Sequence, residues 1–147
     1  MKYLFLFSII FFLNSCSNDQ MDERVNLSKE FLKSIRDFNP QDSISIKKKY
    51  LSPDINNSLD SMIFKFVIPT AQKDISNKSF DKFNFMAYEK ANQTSKNIDL
   101  DEGLSTKDIY VIEYNNTPYM YLLFSGNKIA SFITFNKGGG LRKFMKM

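Results

Sequence analysis

Residues 108–135 read "DIYVIEYNNTPYMYLLFSGNKIASFITF", and the reading of this stretch decides the fold. Aromatic and β-branched residues fill three runs, "DIYVIEY", "PYMYLLF" and "KIASFITF", a composition that suits a pleated, half-buried surface. The separators "NNT" and "SGN" are made of residues that accept positive φ or reverse the chain, so they predict hairpins. Links this short cannot carry the crossover that a parallel pair needs, which makes the strands an antiparallel meander. A third separator, "NKGGG", leads to one more candidate strand, "LRKFMKM". Upstream, residues 80–90, "FDKFNFMAYEK", alternate Phe83, Phe85 and Ala87 against Asn84, Met86 and Tyr88, the period of a strand. A polar loop, residues 92–107, connects it to the meander.

Before residue 80 the period changes. "ERVNLSKEFLKSIRDF" places Leu27, Phe31, Leu32, Ile35 and Phe38 at spacings of three and four, which predicts an amphipathic helix ended by Asn39 and Pro40. Asp42 or Ser43 is positioned to cap a short second helix carrying Ile44, Tyr50 and Leu51. A third stripe, Ile55, Leu59, Met62, Ile63, Phe66 and Val67, stops at Pro69. Two to three helices followed by a meander of four to five strands make an α+β domain spanning residues 23–147, with the helices packed on a curved antiparallel sheet. Fifteen Phe and seven Tyr supply its core.

Both faces of the meander are apolar. Tyr110, Ile112 and Tyr114 oppose Ile109, Val111 and Glu113, while Tyr119, Tyr121 and Leu123 oppose Met120, Leu122 and Phe124. A sheet with one wet face alternates more cleanly. Either the protein's own core covers both faces, or one face, with Tyr110, Tyr114, Tyr119 and Tyr121, receives a protein partner or a small apolar ligand.

The amino terminus reads as an address. Tyr3 to Leu13 is apolar except for Ser8, follows Lys2, and ends in small polar residues around the only cysteine, Cys16. The run is too short to cross a hydrocarbon core of about 30 Å. Leu13, Asn14, Ser15 and Cys16 resemble the lipobox of bacterial lipoproteins, with Asn14 a departure at the middle position. The resemblance implies removal of residues 1–15, a diacylglyceryl thioether on Cys16, acylation of its new amino terminus, and a membrane anchor through these chains. Residues 16–22 then form a short polar tether, and the absence of Asp directly after Cys16 directs the expectation to the outer membrane, facing the periplasm. The order of a helix shaped like "LSKEFLKSIRDF", a "KKKYLSPD" segment and a meander also resembles small envelope lipoproteins of the cystatin-like or nuclear-transport-factor-like α+β class. That resemblance implies a curved sheet around a helix, often with an apolar pocket.

Charge and missing residue types narrow the chemistry. The net charge is +4, residues 1–15 contribute only Lys2 to it, and the surplus is spread along the chain, which does not make a nucleic-acid footprint. With no histidine, the usual general base and imidazole metal sites are missing. No cofactor and no metal site are expected. Two S-x-x-K matches, Ser45 to Lys48 and Ser125 to Lys128, lack the partner motifs of Ser–Lys enzymes. Asn97, Asp99, Asp101 and Asp108 approach calcium-loop spacing, but Glu102 stands where the turn needs glycine and Gly103 comes one residue late, so a solvated acidic loop is the expectation. "KGGG" is read as a turn, and the Lys47–Lys49 run as a solvated helix face. The sequence thus predicts a non-catalytic, lipid-anchored envelope protein that binds a partner or apolar ligand. The alternatives are an enzyme built on Asp99, Asp101 and Glu102, and an inhibitory or immunity-type interaction protein.

Overall fold

The computed structural model describes Met21 and residues 23–147. The expected leader and the lipobox-like stretch ending at Cys16 lie outside the described residues. Helix α1 covers residues 23–36 and buries Phe31, Leu32 and Ile35 completely. Beyond it, Asn39 caps a 3₁₀ turn, Pro40–Asp42, by accepting from the backbone N–H of Gln41 at 3.2 Å. Helix α2, Ser43–Tyr50, follows directly, and Asp42 makes no capping bond with its side chain. Its inward face is Ile46 and Tyr50, four residues apart, with Leu51 beyond; Ile44, expected in that stripe, is 81% exposed.

Helix α3, Asn57–Met62, starts at Asn56, whose side chain accepts from the N–H of Ser58 at 3.0 Å. It does not end at Pro69 as expected. A π turn, Ile63–Val67, leads straight into helix α4, Ile68–Ser76, with Pro69 in its first turn. Pro69 has no N–H and its ring crowds the carbonyl one turn back, and a widened turn just before it removes that conflict. The Ile68 N–H bonds to the carbonyl of Ile63, five residues back. The extra residue in that turn shifts the phase of the apolar stripe. Ile63, Ile68 and Ile75 are therefore fully buried, while Phe66, expected to face inward, is 67% exposed.

The sheet follows the expected meander. Strands β1 (Phe83–Ala87), β2 (Ile109–Tyr114), β3 (Thr117–Ser125) and β4 (Lys128–Ser131) pair antiparallel in the order β1-β2-β3-β4. Strand β1 is shorter than the 80–90 pattern suggested, because 3₁₀ turns at Phe80–Lys82 and Tyr88–Lys90 flank it. Asn115 and Asn116, both at positive φ (51° and 61°), make the tight β2–β3 turn whose twist matches that of the strands. "KIASFITF" is not one strand. Phe132 and Ile133 are consecutive, yet both pack on the helix-side cluster, so the chain bends there. It continues as β5 (Thr134–Gly138), which pairs with β6 (Leu141–Phe144) in a separate two-stranded sheet. Gly138, Gly139 and Gly140, all at positive φ, form that hairpin turn.

Two apolar clusters result, one on each face of the main sheet. The helix side joins Phe31, Ile35, Tyr50, Ile63, Ile68 and Ile75 to Tyr110, Ile112, Leu122 and Phe124. Its rings meet edge to face, with the Phe31 centroid 5.2 Å from Phe132 and the Tyr110 centroid 5.1 Å from Phe124. The other side joins Ile109, Val111, Tyr121 and Leu123 to Tyr88, Ala91 and Phe144, with Ile98 and Leu100 packed against them. The protein's own loop and C-terminal hairpin thus cover the second face. The segment 97–99 bonds to β6 as a further strand would: Asp99 N–H donates to the Arg142 carbonyl at 2.7 Å, and Arg142 N–H to the Asn97 carbonyl at 2.8 Å. Among the described residues no helix is long and apolar enough to cross a membrane.

Candidate functional site

The four tyrosines singled out in the sequence do not share a face. Strict alternation puts Tyr119 beside Tyr121, but β3 carries a bulge. Ile112 pairs with Met120 and Glu113 with Pro118, leaving Tyr119 as the extra residue. The bulge turns Tyr119 toward the helices, where its ring lies 5.1 Å from that of Phe83, and the Tyr114 ring lies 4.9 Å from the same phenylalanine. Tyr121 stays on the opposite face, 3% exposed, and donates to Asn97 Oδ1 at 2.6 Å and to the Ser95 carbonyl at 3.1 Å. Burial pushes its phenol up to about 12, against an opposing pull from Arg142. Tyr110 is buried on the helix side beneath Arg24, whose guanidinium carbon sits 5.9 Å from its ring centroid.

Around Tyr119 the bulge and α4 build an open apolar groove of ≈ 560 Å³, lined by Phe66, Val67, Thr70, Ala71, Asp74, Tyr119 and Met120. The π turn gives the groove its most exposed ring, that of Phe66. A polar clasp closes one end. Tyr119 Oη donates to Asp74 Oδ2 at 2.7 Å, Lys78 Nζ donates to Asp74 Oδ1 at 2.7 Å, and Lys78 Nζ lies 5.4 Å from the Tyr119 centroid and 5.6 Å from that of Tyr114. The Lys78 bond, and then the Tyr119 bond, hold the Asp74 carboxyl below its usual range, while burial first and Asp74 second raise the Tyr119 phenol. The protonated phenol donates to Asp74 and offers its ring as groove surface.

A second cleft, of ≈ 400 Å³, opens where α1 begins. Met21, Arg24, Glu89, Lys107, Asp108 and Tyr110 contribute to its wall. Arg24 is 7% exposed and fully engaged: it donates to the Gly126 carbonyl at 3.0 Å, the Lys107 carbonyl at 3.3 Å and Asp108 Oδ1 at 3.0 Å. Its role is to tie the first turn of α1 to the β3–β4 turn.

The acidic loop does not converge on a site. Asp99 pairs with Lys137, Asp101 with Lys143 at 2.5 Å, and Asp108 with Arg24, while Asn97 accepts from Tyr121. The Lys137 and Lys143 pairs fasten the loop to the C-terminal hairpin, while Arg24 ties it to α1 and Tyr121 ties it to β3. Among the described residues no group of three or more His, Cys, Asp or Glu side chains is placed to hold a metal ion. The S-x-x-K pairs are likewise committed elsewhere: Ser45 Oγ donates to the Asp42 carbonyl, and Lys128 Nζ to the carbonyls of Lys48 and Lys49.

Sequence reasoning missed Phe66, Asp74 and Lys78. Asp74 and Lys78 were legible as an i, i+4 pair had the helix been carried past Pro69. It also passed over Glu113, an acid in an apolar strand, which is 1% exposed and accepts from Ser95 Oγ at 2.6 Å and Asn92 Nδ2 at 3.0 Å. No protein-family model matches the chain, and no significant match was found among curated proteins or among solved structures.

Proposed function

We propose that this chain is a non-catalytic lipoprotein of the bacterial cell envelope. Acyl chains on Cys16 hold it at the membrane, and its domain binds a protein partner or small apolar ligand in the groove beside Tyr119. The carrying observation is the lipobox-like Leu13–Cys16 at the end of the only long apolar run, with the single cysteine of the chain at its last position. Three acyl chains make such attachment permanent, since one alone gives only marginal binding. The outer membrane, facing the periplasm, is the proposed destination. For the domain, the second face of the sheet is taken by its own hairpin, which moves the binding reading from the whole tyrosine row to Tyr119 and Phe66.

In cells, the wild type takes up an alkyne fatty acid and fractionates with membranes, and Cys16→Ser loses both properties. Equal labelling of the two proteins would reject the anchor.

A further inference from the structure

We propose that the face of α2 carrying Ile44, Lys47 and Lys48, together with the β3–β4 turn, forms a surface that docks on a bilayer of anionic phospholipid. The proposal deepens the anchored reading by giving the domain an orientation on its membrane. Its starting point is a residue the fold does not use: Ile44, 81% exposed on α2, stands at the edge of a shallow depression shared with Lys47, Lys48, Leu51, Pro53 and Lys128. A branched apolar side chain ringed by lysines is the composition that inserts at a headgroup boundary, with the ammonium groups on phosphate.

Charge and chain geometry both point to a membrane as the occupant. Lys128 Nζ donates to the carbonyls of Lys48 at 2.9 Å and Lys49 at 2.6 Å, so it adds its charge to the helix end that already carries Lys47–Lys49. Lys47 and Lys49 are partly balanced by Asp60 and Glu30, at 2.7 and 3.0 Å, which leaves a positive surplus centred on exposed Lys48 and on Lys128. The tether enters at this same end. Asn127, next to Lys128, donates to Glu23 at 2.9 Å, and Arg24 bonds to the Gly126 carbonyl. Residues 16–22, fully extended, reach at most about 25 Å. A domain held so closely at the first turn of α1 presents the β3–β4 turn and the adjoining Ile44–Lys48 face of α2 to the lipid.

The chain contains no tryptophan, so Ile44→Trp introduces a single reporter. The full-length protein is reconstituted in vesicles of phosphatidylcholine, alone or mixed with phosphatidylglycerol, and Trp emission and quenching by brominated lipid are recorded. Phe135→Trp, an exposed position on β5 outside both the patch and the groove, is the control. The expected result is a blue shift and quenching at position 44 only in anionic vesicles, reversed by salt, with Lys48→Gln weakening the docked fraction about fivefold. A reporter at 44 that stays as wet as the one at 135, or that is shielded equally without anionic lipid, overturns the proposal. Fatty-acid labelling of Cys16 is read in parallel. An unlabelled protein with position 44 shielded overturns the anchor and supports the patch; a labelled protein with position 44 in water does the reverse.

Discussion

Replacing Ser95 by Ala removes the hydroxyl that donates to Glu113 Oε1 at 2.6 Å, between two residues that are 0% and 1% exposed. No water reaches that oxygen to replace the lost donor, and a buried polar group left unsatisfied costs about 1–3 kcal/mol. For a domain of this size that corresponds to a fall in Tm of about 4 °C per kcal/mol. The second half of a double-mutant cycle, Glu113→Leu, removes the acceptor and fills the space with an apolar side chain. Alone it strands the Ser95 hydroxyl, while Asn92, on the exposed side of the loop, turns its amide to water. Combined with Ser95→Ala, both polar partners disappear together, a change that is nearly neutral when the shapes match. The double variant is therefore expected to recover about 1–2 kcal/mol relative to the sum of the single ones. Urea unfolding followed by far-ultraviolet circular dichroism measures all four stabilities, with unchanged m-values as the check that the transition is the same. If the effects add to within about 0.5 kcal/mol, the two side chains are energetically independent and the account of how the 92–97 loop is pinned over the sheet is wrong.

The phase shift at the π turn predicts opposite outcomes at neighbouring positions: Ile68→Ala loses about 2–5 kcal/mol in urea melts, whereas Phe66→Ser stays within about 0.5 kcal/mol and weakens retention of an apolar probe such as ANS in the groove. Tyr121, raised to about 12 in the folded state against an ordinary 10, stays protonated where the unfolded chain has lost its proton. Stability should therefore fall as pH rises from 10 to 12, and Tyr121→Phe should flatten that part of a thermal-melt pH series. Arg24→Met leaves the Gly126 carbonyl and Asp108 without their cation and should cost about 1–3 kcal/mol, seen as faster amide exchange in the first turns of α1. Asn116→Val forces a β-branched residue to φ 61° and should lower Tm by several degrees, with Asn116→Gly close to wild type.

Periodicity made the meander and the first helix legible because the side chains of β1 and α1 alternate or recur at one fixed spacing through each element. It failed where the backbone changes its own count. The Tyr119 bulge inserts one residue and reverses the face of everything before it, and the Ile63–Val67 turn does the same for a helix, so Phe66, expected inward, faces out and Ile68, outside the expected stripe, is buried. Neither device leaves a composition mark, although Pro69 within an otherwise continuous apolar stripe was a local sign that the helix had to adjust. The double-sided hydrophobicity of β2 was read correctly as demanding cover on both faces. That the cover would be residues 88–100 and the last hairpin depended on pairings between Asn97, Asp99 and Arg142, more than forty positions apart, which spacing alone cannot rank. The acidic loop was expected to be solvated, yet Asp99 and Asp101 each hold a lysine of the hairpin.

Because Phe144 and its hairpin form the outer cover of Ile109, Val111 and Leu123, that face of the sheet is synthesised before the residues that shield it from water. Until they arrive, a growing chain carries a greasy, unpaired plate, the kind of surface that chaperones hold and that self-associates when they do not. A stop codon just before Thr134 would therefore turn the domain into an aggregating one, although every residue of its groove had already been made.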